Sequence, residues 1–164
     1  MIIQGAIVIR RCTLLALLAA SLGAQQKLAP VDEAGYRTIL KSNIGSVALV
    51  NFWATWCAPC RQEMPHLAKL ESGLRDKRFR LVTISADEPE QEAAAVEFLK
   101  KSGISGTAYL RRAMDDDKFI AAVEAGWSGA LPALFLYDRQ GKLVKSFVGE
   151  TEMAVIEAAV RKLL

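Results

Sequence analysis

Cys57 and Cys60 are separated only by Ala58 and Pro59 and follow Trp53-Ala54-Thr55-Trp56. Two residues between cysteines at a helix start bring the sulfurs within bonding reach, so the pair can pass between dithiol and disulfide. The first cysteine then lies near the helix N-terminus, where free N–H groups and the positive end of the dipole favour the thiolate. Such sites lower a cysteine pKa from about 8.5 to between roughly 3.5 and 7.5. Thiolate is the attacking species, so Cys57 is the expected nucleophile, and Cys60, one turn inside, the resolving thiol. Three plainer readings compete. Half a zinc site lacks a second Cys-x-x-Cys, and the only histidine is His66. A structural disulfide across so small a loop removes little unfolded-state entropy. Copper held by the dithiol with His66 is the third. His66 itself reads as an ordinary surface or helix-packing residue.

Elements on either side must hold this pair. Val47 to Trp53 is a nearly continuous apolar run, as expected of a strand covered on both faces. Ala58 to Leu74 follows as a helix with Met64, Leu67, Leu70 and Leu74 spaced toward a core, and Pro65 is expected to kink it. Upstream, Gln25 to Pro30 reads as a connector and Asp32 to Ser42 as a helix capped by Asp32. Downstream, Phe79 to Ala86 is a strand and Gln91 to Lys101 a helix ended by Gly103. Thr107 to Arg111 is a short strand, and Asp115 to Ala125 a helix with three aspartates at its positive end. Ala133 to Tyr137 and Leu143 to Val148 form a hairpin through a short glycine-containing turn, and Thr151 to Leu163 is a last helix. Strands alternating with helices and then a hairpin call for an α/β fold: a central mixed sheet with helices on both faces and a strand–helix insertion before the hairpin.

The bulk properties agree with one domain, assigned to residues 30–164. The 164 residues are 52% hydrophobic and 24% charged, a globular composition with length enough for a core. The net charge is +3 with no concentrated basic run, which argues against nucleic-acid binding. Residues 1–24 read as a signal peptide or N-terminal anchor. Arg10-Arg11 precede an apolar stretch from Thr13 to Leu22, and small residues follow. That stretch is short of the roughly 20 residues a spanning helix needs, so cleavage is the first expectation and an uncleaved anchor the second. Cys12 reads as incidental to the segment. With it removed, the net charge is about +1 and the Cys-x-x-Cys holds every remaining cysteine.

The stretch Leu49-Val50-Asn51-Phe52-Trp53-Ala54-Thr55-Trp56-Cys57-Ala58-Pro59-Cys60-Arg61-Gln62-Glu63-Met64-Pro65 resembles the active site of the TlpA/ResA-type membrane-facing thioredoxins. The order of elements from residue 30 onward agrees. The resemblance implies a thioredoxin fold, a periplasmic or cell-envelope setting, and reduction of protein disulfides with Cys57 attacking and Cys60 resolving. It also implies that Pro132 is cis and lies against the dithiol, turning the backbone of Leu131 outward to pair with a partner's extended chain. Relatives commonly carry threonine or valine before this proline, so Leu131 is a departure that bears on partner preference.

Asn51 stands where thioredoxin places a buried aspartate. Glu63 matches an acidic residue that some relatives set beside the thiols. If partly buried, its carboxyl has a raised pKa and can move a proton to or from Cys60; if exposed, it is a glutamate that suits a helix N-terminus. Trp53 reads as core and Trp56 as a partly exposed platform that, with Ala58, Pro59, Leu131 and Pro132, contacts the partner. The Ala58-Pro59 pair leans toward a reductant by resemblance.

The expected partners are protein disulfide or dithiol substrates and a membrane dithiol that supplies electrons. Apocytochrome c and copper-delivery proteins are the candidates the resemblance brings. No cofactor or metal is called for, and a monomer is expected. The rivals are a disulfide oxidase or isomerase and a non-enzymatic copper-binding or chaperone-like fold. A peroxiredoxin is disfavoured because its Pro-x-x-x-Thr-x-x-Cys arrangement is missing from the sequence.

Overall fold

The computed structural model describes residues 28–164, so the signal or anchor expected over 1–24 lies outside the described residues. Eleven elements follow in chain order: β1 (Ala29–Val31), α1 (Glu33–Ser42), β2 (Val47–Trp53), α2 (Ala58–Leu74), β3 (Phe79–Ser85), α3 (Glu92–Ser102), β4 (Thr107–Arg111), α4 (Asp116–Val123), β5 (Ala133–Tyr137), β6 (Leu143–Val148) and α5 (Met153–Arg161). The strands make one sheet in the order β1-β4-β3-β2-β5-β6. β1, β4, β3 and β2 run parallel, and β5 and β6 are antiparallel to their neighbours.

Side-chain alternation along β2 divides the core. Ala48, Val50 and Phe52 point to one face, where Tyr36 and Ile39 of α1 and Phe119 and Val123 of α4 cover them. Val47 and Leu49 point to the other, under Leu67, Leu70 and Leu74 of α2 and Ile156 and Val160 of α5. Trp53 continues that second face beside Met64, Ala95 and Leu99, and the two cysteines close this cluster. Every residue of β2 is buried, as a strand covered on both faces requires.

Local signals set the ends of most elements. Asp32 caps α1, its carboxylate accepting from the Gly35 N–H at 2.7 Å. Asp115 caps α4 by accepting from the Lys118 N–H at 3.0 Å, so α4 begins one residue later than the sequence suggests; it ends two residues earlier, where Glu124 turns to extended backbone. In the hairpin, the Asp138 carboxylate accepts from the N–H groups of Gln140 and Lys142, and Gly141 takes the left-handed conformation at φ 78°. α2 runs unbroken through Pro65.

One expectation is corrected. The segment read as a connector ends in a strand, β1, which pairs Ala29 with Tyr109 and Val31 with Arg111. Its Pro30 is tolerated because, among the described residues, β1 is an edge strand.

Candidate active site

β2 ends at Trp53 and α2 begins at Ala58, and the turn between them presents the dithiol. Cys57 is the N-cap of α2. Its backbone is extended, at φ −83° and ψ 100°, and its sulfur accepts from the Cys60 N–H at 3.3 Å. An N-cap acceptor satisfies one of the otherwise unpaired donors at a helix start, and here a sulfur fills that place. The same N–H will stabilise negative charge on Cys57 once the thiolate forms. Pro59 occupies the first turn, where its missing N–H costs nothing.

The structure shows the pair as a disulfide with the two Cα atoms 5.3 Å apart. Both residues are buried, Cys57 at 5% exposed and Cys60 at 2%. Beside them the Leu131–Pro132 bond is cis. The half-buried Leu131 side chain packs against the cluster that holds both cysteines. Pro132 itself is buried, and its carbonyl accepts from the Gly149 N–H at 2.9 Å. Trp56 is 64% exposed and Trp53 fully buried. Ala58 is exposed and Pro59 half-buried. The residues expected to meet a partner thus come from three places: Trp56 from the turn before the dithiol, Ala58 and Pro59 from the first turn of α2, and Leu131 and Pro132 from the loop before β5.

Glu63 lies one turn beyond Cys60 and is buried. Neither carboxyl oxygen has a hydrogen-bond partner at bonding geometry. Burial pushes its pKa up to about 7, outweighing the Thr151 N–H that faces it, and the nearby Glu150 charge adds to the rise. Its side chain borders a groove lined by Pro59, Gln62, His66, Glu150 and Thr151. His66 is exposed on the same helix. Asn51 is buried beneath α2, its amide facing the Met64 sulfur at 3.6 Å.

A carboxyl whose pKa is higher folded than unfolded holds its proton more tightly in the native state. Its contribution to stability is complete below the unfolded value of 4.5 and is lost as pH rises through about 7. Wild type should therefore lose stability relative to Glu63→Gln between those two values. Denaturant midpoints of both proteins, measured across this range, should diverge as pH rises. Curves that stay parallel would show that Glu63 ionises as an exposed carboxyl does.

Asp87 escaped the sequence reading. It is 1% exposed and accepts from the Thr55 N–H at 3.0 Å, the Thr55 hydroxyl at 2.6 Å and the Ser85 hydroxyl at 2.6 Å. The signal available was topological. In a parallel pair, residues beyond the carboxyl ends of neighbouring strands fall side by side. Trp53 pairs with Ser85, so Thr55 and Asp87, each two residues further on, meet.

Comparison with known proteins places this geometry. The Redoxin family model matches residues 25–162. The thiol-disulfide oxidoreductase ResA of Bacillus cereus (strain ZK / E33L) is 31% identical over 139 residues, covering 80% of this chain and 72% of that protein. The ResA of Bacillus subtilis (strain 168) is 29% identical over 125 residues, covering 76% of this chain and 65% of that one. Among solved structures, a thiol:disulfide interchange protein of the thioredoxin family from Chlorobium tepidum TLS aligns with a TM-score of 0.63. It is 25% identical and covers 75% of this chain and 83% of that chain.

Proposed function

The chain belongs to the Redoxin family and is a thiol–disulfide oxidoreductase of thioredoxin fold, and we propose that it is an exported reductant of protein disulfides. The observation that carries this reading is the Cys57–Cys60 disulfide at a helix start, with Cys57 at the N-cap and cis-Pro132 in the loop beside it.

In the reduced protein the Cys57 thiolate attacks one sulfur of a substrate disulfide. The substrate's other sulfur leaves as a thiol, and a mixed disulfide forms on Cys57. Cys60 then gives up its proton and attacks the Cys57 sulfur, which releases the second substrate thiol and closes the intramolecular disulfide. Two electrons have passed to the substrate. Glu63, one turn along α2 and with a pKa raised to about 7, takes that proton in its ionised form.

Among the described residues the peptide groups of Leu131 make no backbone bond, which leaves them for an extended partner strand. Trp56 and Leu131 contribute apolar contact on either side of the dithiol. No cofactor enters the exchange. The spent disulfide needs an external dithiol, and for a protein in the cell envelope that donor is a membrane protein. The substrates are envelope proteins that must keep cysteines reduced, with apocytochrome c and copper-delivery proteins as the first candidates. Residues 1–24 serve as the export signal or anchor, and residues 30–164 act as one monomeric domain.

Catalytic amounts of the protein should accelerate cleavage of a polypeptide's disulfides by dithiothreitol, with many turnovers per molecule. No acceleration over dithiothreitol alone would overturn the proposal.

A further inference from the structure

We propose that Asp87 is a positioning residue for the reaction: through Thr55 it fixes the turn that presents Cys57, and it matters most once the disulfide has opened. The proposal rests on Cys57 being the attacking thiol.

Cys57 is held from two sides. On its C-terminal side is α2, whose first turn is regular and whose Cys60 N–H is bonded to the Cys57 sulfur. On its N-terminal side is the turn from Ala54 to Trp56, which has little internal support. One backbone bond closes it, from the Cys57 N–H to the Ala54 carbonyl at 3.2 Å, and Trp56 at its tip is exposed.

Asp87 supplies the missing support. The Thr55 N–H lies 3.0 Å from both carboxylate oxygens, and the Thr55 hydroxyl donates to one of them at 2.6 Å. The other oxygen accepts from the Ser85 hydroxyl at 2.6 Å, and the Ser85 oxygen in turn accepts from the Asp87 N–H at 3.0 Å. Ser85 is the buried last residue of β3, which lies between β4 and β2, so the chain of bonds ties the turn to the interior of the sheet. A second tie runs alongside, from the Ala86 N–H to the Trp53 carbonyl at 2.8 Å.

Among the described residues this is a fully buried carboxylate whose bonds from Thr55 and Ser85 all come from donors and which salt-bridges to no cation. Such an arrangement is costly to build and specifies geometry tightly, because each donor loses its partner if the turn shifts. In the oxidised protein the covalent ring also restrains Cys57. In the dithiol and mixed-disulfide forms that restraint is gone, and the Asp87 clamp remains. An attacking sulfur must line up with the S–S bond it breaks, and misplacement by about 1 Å can cost on the order of 100-fold in rate.

The test uses the full chain with Asp87→Asn, Thr55→Val, Thr55→Ser and the Asp87→Asn/Thr55→Val double variant. The oxidised proteins are checked for folding by thermal melts. The reduced proteins are then mixed with a small aromatic disulfide and with a disulfide-bonded polypeptide. Asp87→Asn should slow attack by about 10- to 100-fold on both substrates, in kcat rather than KM. Thr55→Ser keeps both bonds to Asp87 and should react as wild type.

The double variant should be no slower than Asp87→Asn alone, because both changes break one device. A folded Asp87→Asn protein that attacks at the wild-type rate would overturn the proposal, as would losses that multiply in the double variant. Should Asp87→Asn fail to fold, a wild-type rate in Thr55→Val overturns it and a rate loss in Thr55→Val, restored in Thr55→Ser, upholds it. Failure of the wild-type protein to exchange with either disulfide would instead remove the functional reading itself.

Discussion

Replacing Cys60 by serine should turn the protein into a trap for its own substrates. The variant keeps the Cys57 sulfur, its N-cap position and the N–H that stabilises its thiolate, so the first attack proceeds. Resolution cannot, because serine's hydroxyl does not displace a thiol from sulfur under these conditions. Turnover should fall to background while one equivalent of mixed disulfide accumulates on Cys57, visible as a band on a non-reducing gel that dithiothreitol removes. Cys57→Ser should also lose turnover, by about three orders of magnitude or more as expected for loss of a nucleophile, yet form no adduct. Adducts on Cys57→Ser and none on Cys60→Ser would reverse the two roles.

Phe52→Ala should be the most damaging single change to the scaffold outside the dithiol. Phe52 is 1% exposed and packs against four aromatic rings, those of Tyr36, Phe119, Trp127 and Phe135, with centroids 4.8–6.1 Å away. These rings belong to α1, α4, the loop before the cis-proline and β5, so they cannot collapse together into the space without moving whole elements. Truncating a phenylalanine in such a site costs about 3–5 kcal/mol through lost burial and the cavity left behind. For a domain of this size the thermal midpoint should fall by roughly 10 °C or more. The site should feel it too, since Trp127 and Leu131 pack on the same cluster and lead into Pro132. Below its lowered midpoint the variant should still exchange disulfides. A fall of only a few degrees would mean that the cluster repacks and that Phe52 is not its keystone.

The chemistry was legible because it depends on local spacing. A Cys-x-x-Cys after a buried apolar run and before an amphipathic stretch needs no partner elsewhere to be read, and β2 and α2 stand where that pattern puts them. The hairpin was legible for the same reason, with Asp138 and Gly141 supplying the turn from within five residues.

What escaped depends on distant pairing. β1 is three residues long, contains a proline and exposes two of its three side chains, so it has no period to detect and exists only because β4 offers a parallel edge. Asp87 is one polar residue past a strand, and its partner Thr55 is 32 positions away. Whether Glu63 was buried also lay outside local reach. Its one-turn offset from Cys60 was plain, but burial is set by the loop at Glu150 and Thr151, near the other end of the chain.

The central claim is that the Cys57–Cys60 pair serves as a reductant, and its equilibrium reduction potential tests that most directly. Titration in glutathione or dithiothreitol buffers gives the value, with about 30 mV corresponding to roughly 1.4 kcal/mol for this two-electron couple. A potential below about −220 mV, toward that of thioredoxin, is the predicted result and directs the search to a membrane electron donor. A potential near about −120 mV, as in strong disulfide oxidants, would contradict the reductant and make disulfide formation or isomerisation the function.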